Sequence, residues 1–176
     1  MSLIVQKFGG SSVADAARVR NVASIIIDTY KQGNDVIAVV SAQGDTTDDL
    51  IEKAAELNPK ASKREMDSLL SAGEQMSSAL LAMAIEAEGY PVVSLLGWQA
   101  GFRTDNVYGS ARIKTVLPER LKNEIGKGNI VIGNAFNHGI GSSIANAGKA
   151  LCLADLFKVD TLRKVACGLG PSCPDV

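Results

Sequence analysis

The chain has 176 residues, 46% of them hydrophobic and 21% charged, a size that fits one domain. Eighteen Lys and Arg against nineteen Asp and Glu leave a net charge of −1, which argues against binding to nucleic acid or an anionic membrane. One histidine, His138, and three cysteines without CxxC spacing argue against a His-rich metal centre, a zinc site and a disulfide framework.

The first strand is expected at residues 3–8, ended by Gly9 and Gly10, with Ser11 or Ser12 capping the helix that follows. In that helix Val19, Val22, Ile26 and Tyr30 form one apolar stripe, and Gly33 stands where a C-terminal cap belongs. Residues 36–40 are a continuous β-branched run, the pattern of a strand buried on both faces. A polar loop, residues 43–49, leads into a helix near 47–57. Two capping-box patterns follow, SKRE at Ser62 and SAGE at Ser71. The second predicts a helix start, with Met76, Leu80, Met83 and Ala87 as its buried stripe. Residues 92–96, 111–116 and 130–132 read as further strands, with a short helix over 118–126 before the last of them. Beyond residue 133 the periodicity weakens, and short helices are expected at 143–157 and 160–167. This alternation predicts a mostly parallel sheet with helices on both faces. The longest apolar runs fall far short of the ~20 residues needed to span a bilayer. The N-terminus lacks a signal-peptide pattern, so a cytoplasmic location is expected.

Four segments carry residues suited to chemistry. The first, KFGGSS, has Lys7 at a strand end, then two glycines and a helix start. Close backbone approach, free N–H groups and a mobile cation make this an anion site in outline. It also reads as a tight turn with an exposed lysine, and it matches neither a P-loop nor a dinucleotide fingerprint. The second, SAQGDTTD from Ser41, follows a buried strand, where ligands gather in open α/β sheets. Its Asp45, Thr46 and Thr47 equally suit a turn and helix cap. In the third, SAGE, Glu74 reads first as a capping-box partner, while Gly73, unexpected in a helix's first turn, would suit a ligand approaching the backbone. In the fourth, GFRTDN, Arg103 can hold a carboxylate bidentately or simply be solvated.

In this order, KFGGSS, VVSAQGDTTDDL, SKREMDSLLSAGEQMS and GWQAGFRTDNVYG closely resemble the N-terminal part of bacterial aspartokinases, over about residues 1–132. The resemblance implies the amino-acid-kinase fold, a three-layer αβα sandwich. It also implies transfer of the ATP γ-phosphoryl group to the β-carboxylate of L-aspartate, with Mg2+ on the phosphates. That reaction is the first step toward lysine, threonine and methionine. By the same resemblance Lys7 contacts the ATP phosphates and offsets transition-state charge. Gly9, Gly10 and Ser11 form the adjoining cradle, and Ser41 lines the nucleotide and phosphoryl site. Thr47 and Glu74 hold the amino acid, Glu74 through its ammonium group, and Arg103 pairs with a substrate carboxylate. A homo-oligomer or a partner subunit is expected, with L-aspartate and ATP as the small-molecule partners.

The family's VAGFQG-like segment and GRGGSD loop have only weak counterparts here, and its TDVDG segment has none. Residues 132–139 read IGNAFNHG, residues 139–143 read GIGSS, and TDVDG is absent. The expectation is therefore a single, incomplete amino-acid-kinase domain over 1–176, with residues 133–176 as a divergent tail and no ACT regulatory domain. Two other functions compete with the kinase: a non-catalytic remnant that keeps the fold and some ligand or subunit binding, and another carboxylate or carbamate kinase of the same fold.

Overall fold

In the computed structural model, which describes residues 2–134 and 162–164, the expected first strand is present as β1 (Leu3–Phe8). A short 3-10 turn (Gly10–Val13) leads into α1 (Ala16–Lys31). The cap of α1 is Asp15, whose carboxylate accepts the Arg18 N–H at 2.9 Å; Ser11 and Ser12 lie inside the 3-10 turn instead. Val13 is fully buried, and seating it in the core uses the residues between the glycines and the helix. Along α1, Val19, Val22 and Ile26 are buried and Tyr30 half-buried, as their spacing requires. Gly33 then turns the chain at φ +82° into β2 (Asp35–Val40), whose last five residues are all buried.

Two amphipathic helices follow, α2 (Thr46–Leu57) and α3 (Lys63–Ala87). Ser62 caps α3 as expected, its Oγ accepting the Glu65 N–H at 3.4 Å. The SAGE segment starts no helix. It lies in the interior of a continuous 25-residue α3, where carbonyls one turn back already receive the N–H groups. The expected buried stripe is also rotated: Met76, Leu80 and Met83 are exposed. The face turned inward is Asp67, Ser71, Glu74, Ser78, Leu81 and Ile85, at helical spacing but polar in its first half.

The remaining elements are β3 (Val92–Leu95), β4 (Phe102–Thr104), β5 (Ile113–Val116), α4 (Glu119–Gly126), β6 (Ile130–Asn134) and β7 (Leu162–Lys164). The main sheet runs β3-β6-β2-β1-β7, with every pair parallel. β4 falls inside what read as a loop, and it pairs antiparallel with β5 in a separate hairpin. Residues 162–164 are strand rather than part of a helix, because the outer edge of β1 takes them up as ladder partners. The helix expected at 143–157 and the glycine loop at 139–143 lie outside the described residues.

Two cores flank the sheet. Phe8, Val22, Ile26, Val40, Leu81 and Ile132 fill the layer between the sheet and α1 with α3. Val5, Ile37, Val39, Phe102, Leu121 and Val131 fill the other, beneath the hairpin and α4. The result is an αβα arrangement. No helix among the described residues is long and apolar enough to cross a membrane.

Two tests follow from local geometry. Gly101 has φ +89°, and a Cβ there would lie 1.8 Å from the Leu117 carbonyl oxygen, while Leu117 N–H donates to Gly101 O at 2.9 Å. Gly101→Ala is expected to lower the urea midpoint by the equivalent of at least about 1–3 kcal/mol; an unchanged midpoint would contradict this packing. At the end of α4, Glu124 accepts Lys127 Nζ at 3.1 Å and Asn129 Nδ2 at 2.7 Å, with Arg120 Nε at 2.9 Å. Those bonds, first from Lys127 and then from Asn129, hold its carboxyl below the ordinary value of 4.5, against the opposing effect of burial. A depressed folded-state pKa contributes stability that is present above 4.5 and is lost as pH falls through the folded value. Glu124→Gln is therefore expected to unfold more easily than wild type at pH 7. The gap should close in acid, as followed by denaturation at a series of pH values.

Candidate active site

Side chains alternate along β1, so Gln6 and Phe8 point toward α1 while Val5 and Lys7 point to the other layer. Lys7 is half-buried at the C-terminal end of the strand. Its Nζ lies 3.8 Å from where a Cβ on Gly9 would stand, so the ammonium group folds back over the glycine turn. At Gly10 a Cβ would come within 2.5 Å of the Ala42 carbonyl oxygen, and Gly44 N–H donates to Gly10 O at 3.1 Å. Gln43 Nε2 adds a bond to Val13 O at 2.6 Å. The turn after β1 and the loop after β2 thus meet backbone to backbone, and only a residue without a side chain permits it.

The same loop carries the next candidates. Ser41 is half-buried directly after β2, and Thr47 is half-buried in the first turn of α2. The opposite wall is α3, where a Cβ on Gly73 would lie 3.0 Å from Ala42 Cβ and 3.4 Å from Thr46 Cγ2. Gly73 is therefore a helix-to-loop contact rather than a ligand approach. It seats α3 close enough that the neighbouring Glu74, only 7% exposed, faces inward beside the loop. Below Glu74, Ser78 Oγ donates to its backbone carbonyl at 2.8 Å and Ser77 Oγ to the Gly73 carbonyl at 3.0 Å.

Contacts therefore run from Lys7 through Gly9 and Gly10 to Ala42 and Gly44, and on from Ala42 and Thr46 to Gly73. Ser11, Ser41, Thr47 and Glu74 are the chain neighbours of these residues. Arg103 stands apart. It lies on β4 opposite Thr115 and is exposed, and its guanidinium makes no hydrogen bond or ion pair with a described residue. Sequence reasoning missed Ala42 and Gly44 as structural partners of the glycine turn, although AQG was visible beside Ser41. It also missed Asp67, a buried acid inside the SKREMDSLLSAGEQMS segment. A groove of about 420 Å³, lined by Ala14, Val19, Arg20, Gln43, Leu80 and Met83, opens beside the loop and contains none of the candidate residues.

Chemically, a backbone turn with a lysine folded over it suits a multiply charged anion. A buried carboxylate on the other side of the loop suits a small cationic group.

Comparison with known proteins agrees with this architecture. The pattern described as "Amino acid kinase family" matches residues 2–164, continuing through β7. An aspartokinase of Mycolicibacterium smegmatis is 53% identical over 136 residues, covering 77% of this chain and 32% of that protein. An aspartokinase of Bacillus sp. (strain MGA3) is 43% identical over 167 residues, covering 91% and 41% respectively. The crystal structure of aspartate kinase from Synechocystis superposes with a TM-score of 0.77 at 36% identity, over 92% of this chain and 27% of that one. The chain thus spans roughly a third to two fifths of the curated relatives' length, and it corresponds to an N-terminal aspartokinase segment. With the family pattern matched from before β1 to the end of β7, the chain belongs to the amino acid kinase family.

Proposed function

We propose that the chain serves the ATP-dependent phosphorylation of the β-carboxylate of L-aspartate, the reaction that opens synthesis of lysine, threonine and methionine. The observation that carries this reading is the junction at the strand ends. There the Lys7 ammonium folds over the glycine turn, the turn is bonded to the loop after β2, and α3 sets Glu74 beside that same loop. The aspartokinases of M. smegmatis and Bacillus sp. support the choice of substrate.

The chemistry asks little of a general base, since a β-carboxylate is already ionised at pH 7. Its oxygen attacks the γ-phosphorus, the bond from that phosphorus to the bridging oxygen breaks, and ADP leaves with the electron pair. The products are an acyl phosphate and ADP. Catalysis then consists of alignment and neutralisation of the charge that moves onto the phosphate oxygens. Lys7 supplies a mobile cation for those oxygens. The backbone of Gly9, Gly10 and Ser11 forms a cradle into which a side chain at Gly10 could not fit. Ser41 lines the phosphoryl path from the β2 side, Thr47 and Glu74 hold the amino acid, and Glu74 takes its ammonium group. Arg103 reaches the remaining carboxylate with its guanidinium fork. Mg2+ arriving with the nucleotide would supply further positive charge against the phosphate oxygens, beside that of Lys7. Assembly as a homo-oligomer or with a partner subunit belongs to this reading, supported by the exposed stripe Met76, Leu80 and Met83 on α3.

A coupled ADP-release assay with L-aspartate, run beside calorimetry of ATP and aspartate, tests the proposal. Lys7→Ala is expected to reduce turnover by about 10²-fold or more with the unfolding midpoint unchanged. Gly10→Ala should impair phosphate binding by pushing the Ala42 carbonyl away. Aspartate binding without turnover would select the non-catalytic reading. A Lys7→Ala variant with wild-type turnover and ATP affinity would remove the phosphate assignment.

A further inference from the structure

Asp67 lies in the second turn of α3 and is only 3% exposed. Its Oδ2 accepts the Gly109 N–H at 2.7 Å, across 42 residues of sequence. Gly109 has φ +79°, and a Cβ there would lie 3.5 Å from Lys63 Cδ, so the loop between β4 and β5 rests on the first turn of α3. That loop is closed on itself. Asp105 Oδ1 accepts the Arg112 N–H at 3.0 Å, Asp105 N–H donates to Arg112 O at 3.1 Å, and Ser110 N–H donates to Val107 O at 3.2 Å. At its base the hairpin is fixed by the Gly101–Leu117 contact. Its free end is held to the helix by Asp67.

We propose that Asp67 is a positioning residue for recognition of an α-amino acid. By holding Gly109 it sets the hairpin, and with it the Arg103 guanidinium, at a fixed separation from Glu74. This rests on the functional reading above for the roles of Arg103 and Glu74. Asp67 and Glu74 occupy one buried face of α3 seven residues apart, a rise of about 10 Å along a rigid helix. An α-amino acid places its ammonium and carboxylate groups on the same carbon, so a cation and an anion that receive them must keep a constant spacing. The helix keeps Glu74 in place. The hairpin of two short strands is held at its base by Gly101 and the buried Phe102, and the bond from Gly109 to Asp67 fixes its far end, so that the hairpin cannot pivot about that base.

The test uses the whole chain and four variants: Asp67→Ala, Asp67→Asn, Arg103→Ala and the double variant Asp67→Ala/Arg103→Ala. Calorimetry reads L-aspartate and ATP separately, and amide hydrogen exchange reads Gly109. Asp67→Ala is expected to speed exchange at Gly109 and weaken aspartate binding about tenfold, with ATP affinity unchanged. Asp67→Asn, which keeps an acceptor oxygen, should recover most of the loss. In the Arg103→Ala background Asp67→Ala should cost nothing further. Should Asp67→Ala not fold, Gly109→Ala, strained at φ +79°, loosens the same bond from the loop side and should give the same split. Fast exchange at Gly109 with aspartate affinity intact would overturn the proposal, as would additive losses in the double variant. A wild-type chain that binds no aspartate would instead overturn the functional reading and this proposal with it, and Gly109 exchange would still report whether the anchor itself exists.

Discussion

The contact between Gly10 and the loop after β2 is the constraint on which the candidate site depends. A single methyl group at Gly10 would stand 2.5 Å from the Ala42 carbonyl oxygen, closer than a non-bonded carbon and oxygen can rest. With hydrogen there instead, the ends of β1 and β2 are tied through Gly44 N–H, and Ala42 is left where Gly73 of α3 can pack on it. Three segments distant in sequence thereby converge at one edge of the sheet. The strand register contributes as well: Phe8 pairs with Val40, so both strands deliver their following loops at the same level. Ligand sites in open parallel sheets form at such strand ends because the loops there are free to carry function while the strands stay rigid.

How α3 meets the sheet explains where sequence patterns succeed and where they mislead. In α1 the buried positions are Val19, Val22 and Ile26, so apolar spacing reports burial directly. In α3 the buried half nearest the site is Asp67, Ser71, Glu74, Ser77 and Ser78, whereas Met76, Leu80 and Met83 face outward. Apolar periodicity then selects the wrong side of the helix. The inversion is affordable because Ser71, Ser77 and Ser78 turn their hydroxyls to carbonyls of their own helix, which removes much of the cost of burying them. A helix that keeps polar groups inward next to a loop of threonines and glycine is shaped by what it must hold there, not by core packing alone.

For the candidate residues the outcome divides along similar lines. Lys7, Gly9 and Gly10 were legible as a strand-to-helix turn with a lysine before it, because the local geometry follows from the chain itself, although a plain tight turn has the same pattern. Glu74 was visible only as half of a capping pattern, since no local rule distinguishes a helix start from a helix interior when serine and glutamate stand three apart. Arg103 lies on a three-residue strand, its partner Thr115 twelve residues away, and β4 carried no alternation long enough to detect. The tie from Asp67 to Gly109 is a tertiary contact between two segments with no shared motif, which periodicity cannot reveal.

The strand order has a consequence for the order of assembly. β1 gains its partner β2 after one helix, but its other edge waits for residues 162–164, about 150 residues further along the chain. During synthesis, at about 5–20 residues per second, β1 is an open edge offering unpaired backbone groups to any neighbouring chain. The residue opposite Lys164 on that edge is Lys7. A charge at the end of a hydrophobic edge strand is a common guard against such pairing, and Lys7 stands at that end of β1.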